Sequence, residues 1–386
     1  MSMIATLILL GVAAILTTLA APWVLPRALN RTLRHKPYPV SECAAKLHRS
    51  LVVADLHADA LLWRRDLLRR STVGHVDLPR LRAGNVAVQV FATVNTFPGA
   101  AVYHGRTYRL NLGGLQAAAQ RWPLSTWRSA YARTLHQAAK LEALAKRSVG
   151  AVRIMRSARD LDEVLEARRA GAGVIGAVLA IEGATALEGE MRNVDALFSA
   201  GFRVLTITHF CDNAVGGSSN GLKRHGLTNF GRDVFARMEE LSFIIDLAHA
   251  SPTLIDDALE CTTRPVMVSH TGLRDIWDDV RNLSDDQARA IADKGGIIGI
   301  GYWRDALGPP SLERIAETLC YGVELVGPGH MALGSDFDGG GAAPLDASEL
   351  PALTEKLLRA GLDEDVIAGV MGGNAVGFLR QALPES

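Results

Sequence analysis

Apolar residues along this chain gather in short continuous runs and do not alternate with polar ones. Eight such runs, rich in β-branched residues, predict strands. They cover 51–56 (LVVADL), 86–93 (VAVQVFAT), 173–181 (GVIGAVLAI), 203–208 (RVLTIT), 242–247 (SFIIDL), 265–269 (PVMVS), 296–301 (GIIGIG) and 331–335 (MALGS). Helix-like stretches lie between them, over 191–200, 230–241, 251–260, 284–294 and 311–326. Two carry clear start signals: Ser251 before Pro252, and Ser284 before Asp285 and Asp286. Strands that are apolar on both faces and separated by helices belong to a parallel sheet covered on both sides. Eight such units predict a closed α/β barrel of the (β/α)8, TIM-like kind. An open doubly wound sheet is the alternative, but no glycine-rich phosphate loop follows the first run. The segment 108–148 reads as a mostly helical insertion between the second and third strands, lying over the barrel.

The N-terminus departs from this pattern. Met3 to Pro26 carries no charge, Trp23 stands near its end, and Arg27, Arg31, Arg34 and Lys36 follow. A bilayer needs roughly 20 apolar residues, so residues 1–26 are expected to form one transmembrane anchor. A signal peptide is the competing reading, but no Lys or Arg precedes the run, and it exceeds an h-region of roughly 7–15 residues. The basic flank points to a cytoplasmic catalytic domain, although long domains cross regardless of such charges, so the side of the membrane stays open. Residues 27–45 read as a linker and 46–386 as the barrel domain.

Composition narrows the chemistry. The chain has 386 residues, with 41 basic and 41 acidic side chains. That balance gives no support to nucleic-acid binding, which calls for a basic face. The four cysteines, Cys43, Cys211, Cys261 and Cys320, are far apart and form no C-x-x-C pair.

The predicted strands finish in a consistent way. The first leads to His57 and Asp59, the third to Glu182, the fourth to His209, the fifth to His249, the sixth to His270 and the eighth to Asp336 and Asp338. In a barrel these ends share one rim, where active sites of the fold lie. One histidine at a strand end is usually structural. Carboxylates and imidazoles gathered on one rim are costly to bury without cations, and such donors suit zinc. Residues two apart on a strand face the same way, so His57 and Asp59 can bind one metal. Glu182 can bridge it to a second, completed by His249 and His270. Two ions roughly 3.5–4 Å apart can hold a hydroxide between them and polarise a carbonyl. The remaining histidines, among them His48, His75 and His225, are read as structural or exposed, and Asp338 as a loop cap.

Several segments together resemble the membrane (renal-type) dipeptidase family of zinc metallopeptidases. They are DLHAD (55–59), AIEG (180–183), LTITHFCDN (205–213), GLTNFGRDVFARMEELSFIIDLAHAS (226–251), PVMVSHTG (265–272), VRNLSDDQARAIADKGGIIGI (280–300) and LGSDFDG (333–339). The resemblance spans about residues 46 to 380. It implies a metal-dependent hydrolase barrel with two zinc ions per chain, cleaving dipeptides. By matching positions, His57 and Asp59 would bind one zinc, His249 and His270 the other, and Glu182 both. His209, Arg281 and Asp336 would contact substrate, with His209 and Asp336 taking part in catalysis and Arg281 meeting the free carboxylate. A homodimer is a family-level expectation. Mammalian relatives hold the cysteine matching Cys211 in a disulfide, but 91–100 offers it no partner here. Another amide hydrolase on the same metal frame, a deacylase or lactamase, is the main alternative. A binding protein that has lost catalysis is the third.

Overall fold

The computed structural model describes residues 20–97 and 111–386. Nine strands occur among them: β1 Val53–Ala58, β2 Val86–Val94, β3 Val152–Ile154, β4 Ile175–Glu182, β5 Phe202–Thr206, β6 Ile244–Asp246, β7 Met267–Thr271, β8 Ile297–Ile300 and β9 Met331–Leu333. Their order is β2-β1-β9-β8-β7-β6-β5-β4, and a parallel pairing of β2 with β4, from Val88–Gly176 to Val94–Glu182, closes the ring. All eight runs expected from the sequence are staves of this barrel. β1, β2 and β4 are buried along their whole lengths, which is why they show no polar alternation.

β3 is the strand that sequence reading missed. It has three residues, and Arg153 at its centre is exposed. It pairs only with the start of β4, from Ile175 to Ala177, whereas β5 pairs with β4 from Leu179 onward. Because β2 occupies the other edge of β4, β3 fills in beside β5 and is not a ninth stave.

The helices start where the polar signals place them. Ser251 accepts from Leu254 N ahead of Pro252–Cys261, and Ser284 forms a capping box with Gln287 ahead of Asp285–Asp293. The expected insertion is helical over Gly113–Ala119, Ser125–Arg128 and Ala130–Arg147. Gln137, on the last of these, bonds both the N–H and the carbonyl of Val94 at 3.1 and 2.8 Å. That amide finishes the ladder of β2 at its catalytic end.

Most of the expected anchor, residues 1–19, lies outside the described residues. Its last part is helical over 20–29, and Leu25 and Leu29 pack on Leu62, Trp63, Val94, Ala117 and Trp122. Among the described residues no helix is long and apolar enough to cross a membrane. The stretch expected as a linker is a strap tied to the barrel. Leu33 N donates to Ala343 O at 2.8 Å, Tyr38 Oη to Pro344 O at 2.9 Å, and Ser41 Oγ to Glu355 Oε2 at 2.6 Å. Tyr38 and Ser41 are among the side chains that hold it. All four cysteines are free.

Candidate metal centre

The C-terminal ends of the staves bring the expected residues together. His57 lies on β1. Asp59 follows it in the short 3-10 turn Ala60–Leu62, which it starts with φ −95° and ψ 23°. It is thus the turn, and not strand alternation alone, that aims this carboxylate. Glu182 ends β4, His270 lies on β7, and His249 follows β6 in the left-handed region at φ 63°. Asp336, after β9, is also left-handed at φ 56°. Few side chains adopt that conformation, and histidine and aspartate are among those that do.

Glu182 is the centre of the cluster. Its Oε1 lies 3.1 Å from His249 Nε2, 3.6 Å from His57 Nε2 and 3.6 Å from His270 Nε2. His57 Nε2 is also 3.4 Å from Asp59 Oδ1 and 3.9 Å from Asp336 Oδ1. Three overlapping groups have the spacing to hold metal: His57, Glu182 and His270; Glu182, His209 and His249; His57, Asp59 and Asp336. The donors fit a cation on a second count. His57 Nε2, Asp59 Oδ1 and Glu182 Oε2 are buried with no hydrogen-bond partner. Unpaired carboxylate oxygens are costly in a dry interior, and a divalent ion would satisfy them.

Electrostatics agree. Burial, then Asp59, raise Glu182 well above the ordinary carboxylate range, against the pull of His57 and Arg281. Burial and Asp59 likewise push Asp336 up to about 7. Burial pulls His57 down, but Asp59, Glu182 and Asp336 outweigh it and push it up to about 10. Burial holds His209, His249 and His270 well below the ordinary imidazole value, and the cations His57 and Arg281 add to this. The cluster without metal limits its negative charge by keeping protons. A cation would displace the protons held by Glu182, Asp336 and His57, and would meet the neutral imidazoles of His249 and His270 at their lone pairs.

Behind the donors lies a layer that sequence reading did not assign. Asp246 accepts from Ser269 Oγ at 2.6 Å, from Ser269 N at 2.8 Å and from Thr206 Oγ1 at 2.5 Å. With its proton given to Asp246, Ser269 Oγ can only accept from His270 Nδ1, 2.9 Å away. His270 Nε2 is therefore left as a lone pair facing Glu182, the usual way a ligand imidazole is oriented. Asp55 takes bonds from His57 N, Gln89 Nε2 and Ser335 N, binding β1, β2 and the loop after β9 at the rim. Both acids sit in otherwise apolar runs, and that was the available signal.

An open cavity fronts the cluster, lined by Asp59, Glu182, His209, His249, Arg281 and Asp336, with Trp303 and Asn220 among the other walls. His209 Nδ1 meets Thr96 Oγ1 at 2.8 Å, and its Nε2 is 3.4 Å from Glu182 Oε2. Arg281 is buried, donates from Nη2 to His270 O at 2.7 Å, and stands 5.6 Å from the Trp303 ring; its Nε has no partner. The ends of β2 and β8, which carry no titratable group, supply Thr96 and Trp303. Asp338 does not join the cluster. It accepts from His75 N at 2.8 Å and pairs with Arg65, the loop-organising role expected of it. His48 is likewise structural, bonded to Thr354 Oγ1 and Gly84 O. His225 lies in a loop, its Nδ1 against Gly226 O at 2.8 Å.

Residues 41–384 match the family model described as membrane dipeptidase, peptidase family M19. The chain belongs to this family. Among curated family relatives, Dipeptidase 3 of Mus musculus is 30% identical over 217 residues, covering 53% of this chain and 44% of its own. An uncharacterized dipeptidase of Schizosaccharomyces pombe is 30% identical over 217 residues, covering 53% and 52%. The match thus spans about half the length of these relatives. Solved structures share the fold. Dipeptidase AC, a family M19 metallopeptidase, superposes with a TM-score of 0.74 at 24% identity, covering 87% of this chain and 100% of its own. A Rhodobacter sphaeroides metallopeptidase, solved with a phosphinate mimic of the dipeptide L-Ala-D-Ala, gives 0.72 at 24% identity, covering 86% and 99%.

Proposed function

We propose that this chain is a zinc-dependent dipeptidase acting on dipeptides with a free C-terminal carboxylate, tethered to a membrane by its uncharged N-terminal segment. The observation that carries the reading is the set of unpartnered buried donor atoms around Glu182, in one cavity with Arg281 and Asp336. His57 and Asp59 would hold one zinc, His249 and His270 a second, and Glu182 would touch both. Two such ions supply Lewis acidity and a water of lowered pKa.

The chain's own residues do the rest. Arg281 offers a charge-assisted, two-pronged contact to the substrate's α-carboxylate, since its Nε is unpartnered and Trp303 backs the guanidinium. Its place in the same cavity as Glu182 leaves little chain between the scissile bond and the terminal carboxylate, which favours dipeptides. His209, held through Nδ1 by Thr96, offers Nε2 to the carbonyl oxygen as charge develops there. Asp336, in the same cavity and 3.9 Å from His57 Nε2, would accept a proton from the attacking water and return it to the amine as the C–N bond breaks.

Matched dipeptides with free and amidated C-termini, in L,L and L,D forms, test this reading. The wild-type chain is expected to prefer the free acid. Arg281→Met should lose about 2–4 kcal/mol of binding to the carboxylate, roughly 30- to 1000-fold in kcat/KM on the free acid. It should hydrolyse the amidated form no worse than wild type. Equal hydrolysis of both forms by the wild type would defeat the carboxylate clamp.

A further inference from the structure

The mouth of the cavity adjoins a surface of unusual composition. Leu62 and Val94 line the cavity, and they also belong to the cluster on which Leu25 and Leu29 of the 20–29 helix pack. Gly340, in the loop that lines the cavity through Gly339 and Gly341, donates to Asn30 Oδ1 at 2.9 Å. The described chain therefore begins on the catalytic rim, immediately after nineteen residues with no charged side chain. Trp122, in the same cluster, accepts at its carbonyl from Trp127 Nε1 at 3.2 Å. The 113–128 excursion and the 20–29 helix thus form one continuous surface.

This surface is both apolar and basic. Trp23 is 47% exposed, Val24 55%, Leu115 66%, Leu124 75% and Trp127 43%. Arg64 and Arg121 stack over the Trp23 ring at 5.4 and 5.0 Å, and Arg27, Arg31 and Arg128 are exposed nearby in the chain. No Asp or Glu occurs before Glu42, and none between Leu78 and Leu141. The nearby Asp66 is paired with Arg147 at 2.9 Å. Glu188 stands at the border of this surface, accepting from Ser129 Oγ at 2.7 Å and from Tyr131 N at 3.1 Å. Exposed tryptophans among arginines that outnumber the bordering carboxylates suit the headgroup layer of an anionic bilayer, where rings sit at the interface and cations meet phosphate. Arginines occur at the other pole as well, where Arg49, Arg82, Arg168, Arg169 and Arg380 line a groove. Exposed aromatic residues and an uncharged leader do not accompany them among the described residues.

We propose that the face formed by residues 20–34 and 113–128 lies against an anionic lipid bilayer and holds the mouth of the cavity at the membrane surface. The inference rests on the membrane tether proposed above and is independent of the peptidase chemistry. Substrate would then enter between the barrel and the headgroups.

The full chain, reconstituted in vesicles of phosphatidylcholine and phosphatidylglycerol, tests it. A phosphatidylglycerol carrying a photoreactive diazirine at glycerol depth would be activated and the labelled peptides mapped. Label is expected in 3–19, in 20–34 and in 113–128, with at least about tenfold less in 145–173 at the opposite pole. The double variant Arg121→Glu, Arg128→Glu is expected to cut labelling of 113–128 about fivefold or more, while label in 3–19 and hydrolysis of a soluble dipeptide persist. Label in 3–19 but not in 113–128, or equal label at both poles, would overturn the face and leave the tether. Absence of label from 3–19 would refute the tether, and the face with it.

Discussion

Glu182→Gln is expected to reduce bound zinc from two ions per chain to one or none and to lower kcat/KM by about 10³-fold or more. The carboxylate lies within 3.6 Å of four imidazole nitrogens, so its charge serves every donor around it. Glutamine keeps the volume and one oxygen but not the charge. The fold should survive the change. Burial already pushes Glu182 well above its ordinary range, so the metal-free wild type carries a strained acid that glutamine relieves. Its metal-free melting temperature is therefore expected to equal or exceed that of the metal-free wild type. Zinc content by atomic emission, beside that melting curve, separates loss of the ions from loss of structure. A variant that keeps two zincs and hydrolyses within tenfold of wild type would contradict the bridging role.

Asp336→Asn is expected to behave differently: zinc stays at two per chain, KM changes little, and kcat falls by about 10²–10⁴-fold, the usual worth of a positioned acid–base group. Asparagine tolerates the left-handed backbone at φ 56°, so the loop keeps its shape and only the proton acceptor is lost. Asp336 Oδ1 is 3.9 Å from His57 Nε2, farther out than the Asp59 and Glu182 oxygens. If zinc and activity fall together, Asp336 is a ligand and the proton must move elsewhere.

The barrel was legible because its staves are buried on both faces, and continuous apolar runs announce that directly. The rim was legible because histidines and acids cluster at the C-terminal ends of those runs. Arg281 was not legible from its own surroundings; only the family resemblance singled it out, since an arginine ahead of a helix is commonly exposed. β3 escaped because three residues around an exposed Arg153 leave no periodic trace. The Asp246–Ser269–His270 chain escaped because it joins β6 to β7 through side chains, and sequence order does not show which strands become neighbours. Thr96 and Trp303 escaped for another reason. Neither titrates, so nothing about the residue type marked the ends of β2 and β8. The N-terminal segment shows the same limit: hydropathy drew one run from Met3 to Pro26, but packing takes its last residues onto the barrel.

The most direct test of the account is a zinc titration of the chelated, metal-free chain, followed by hydrolysis of a dipeptide with a free C-terminus. The account predicts no activity without metal and a rise that levels off at two zinc ions per chain. Full activity in the chelated chain, or no dipeptide cleavage with two zincs bound, would contradict it.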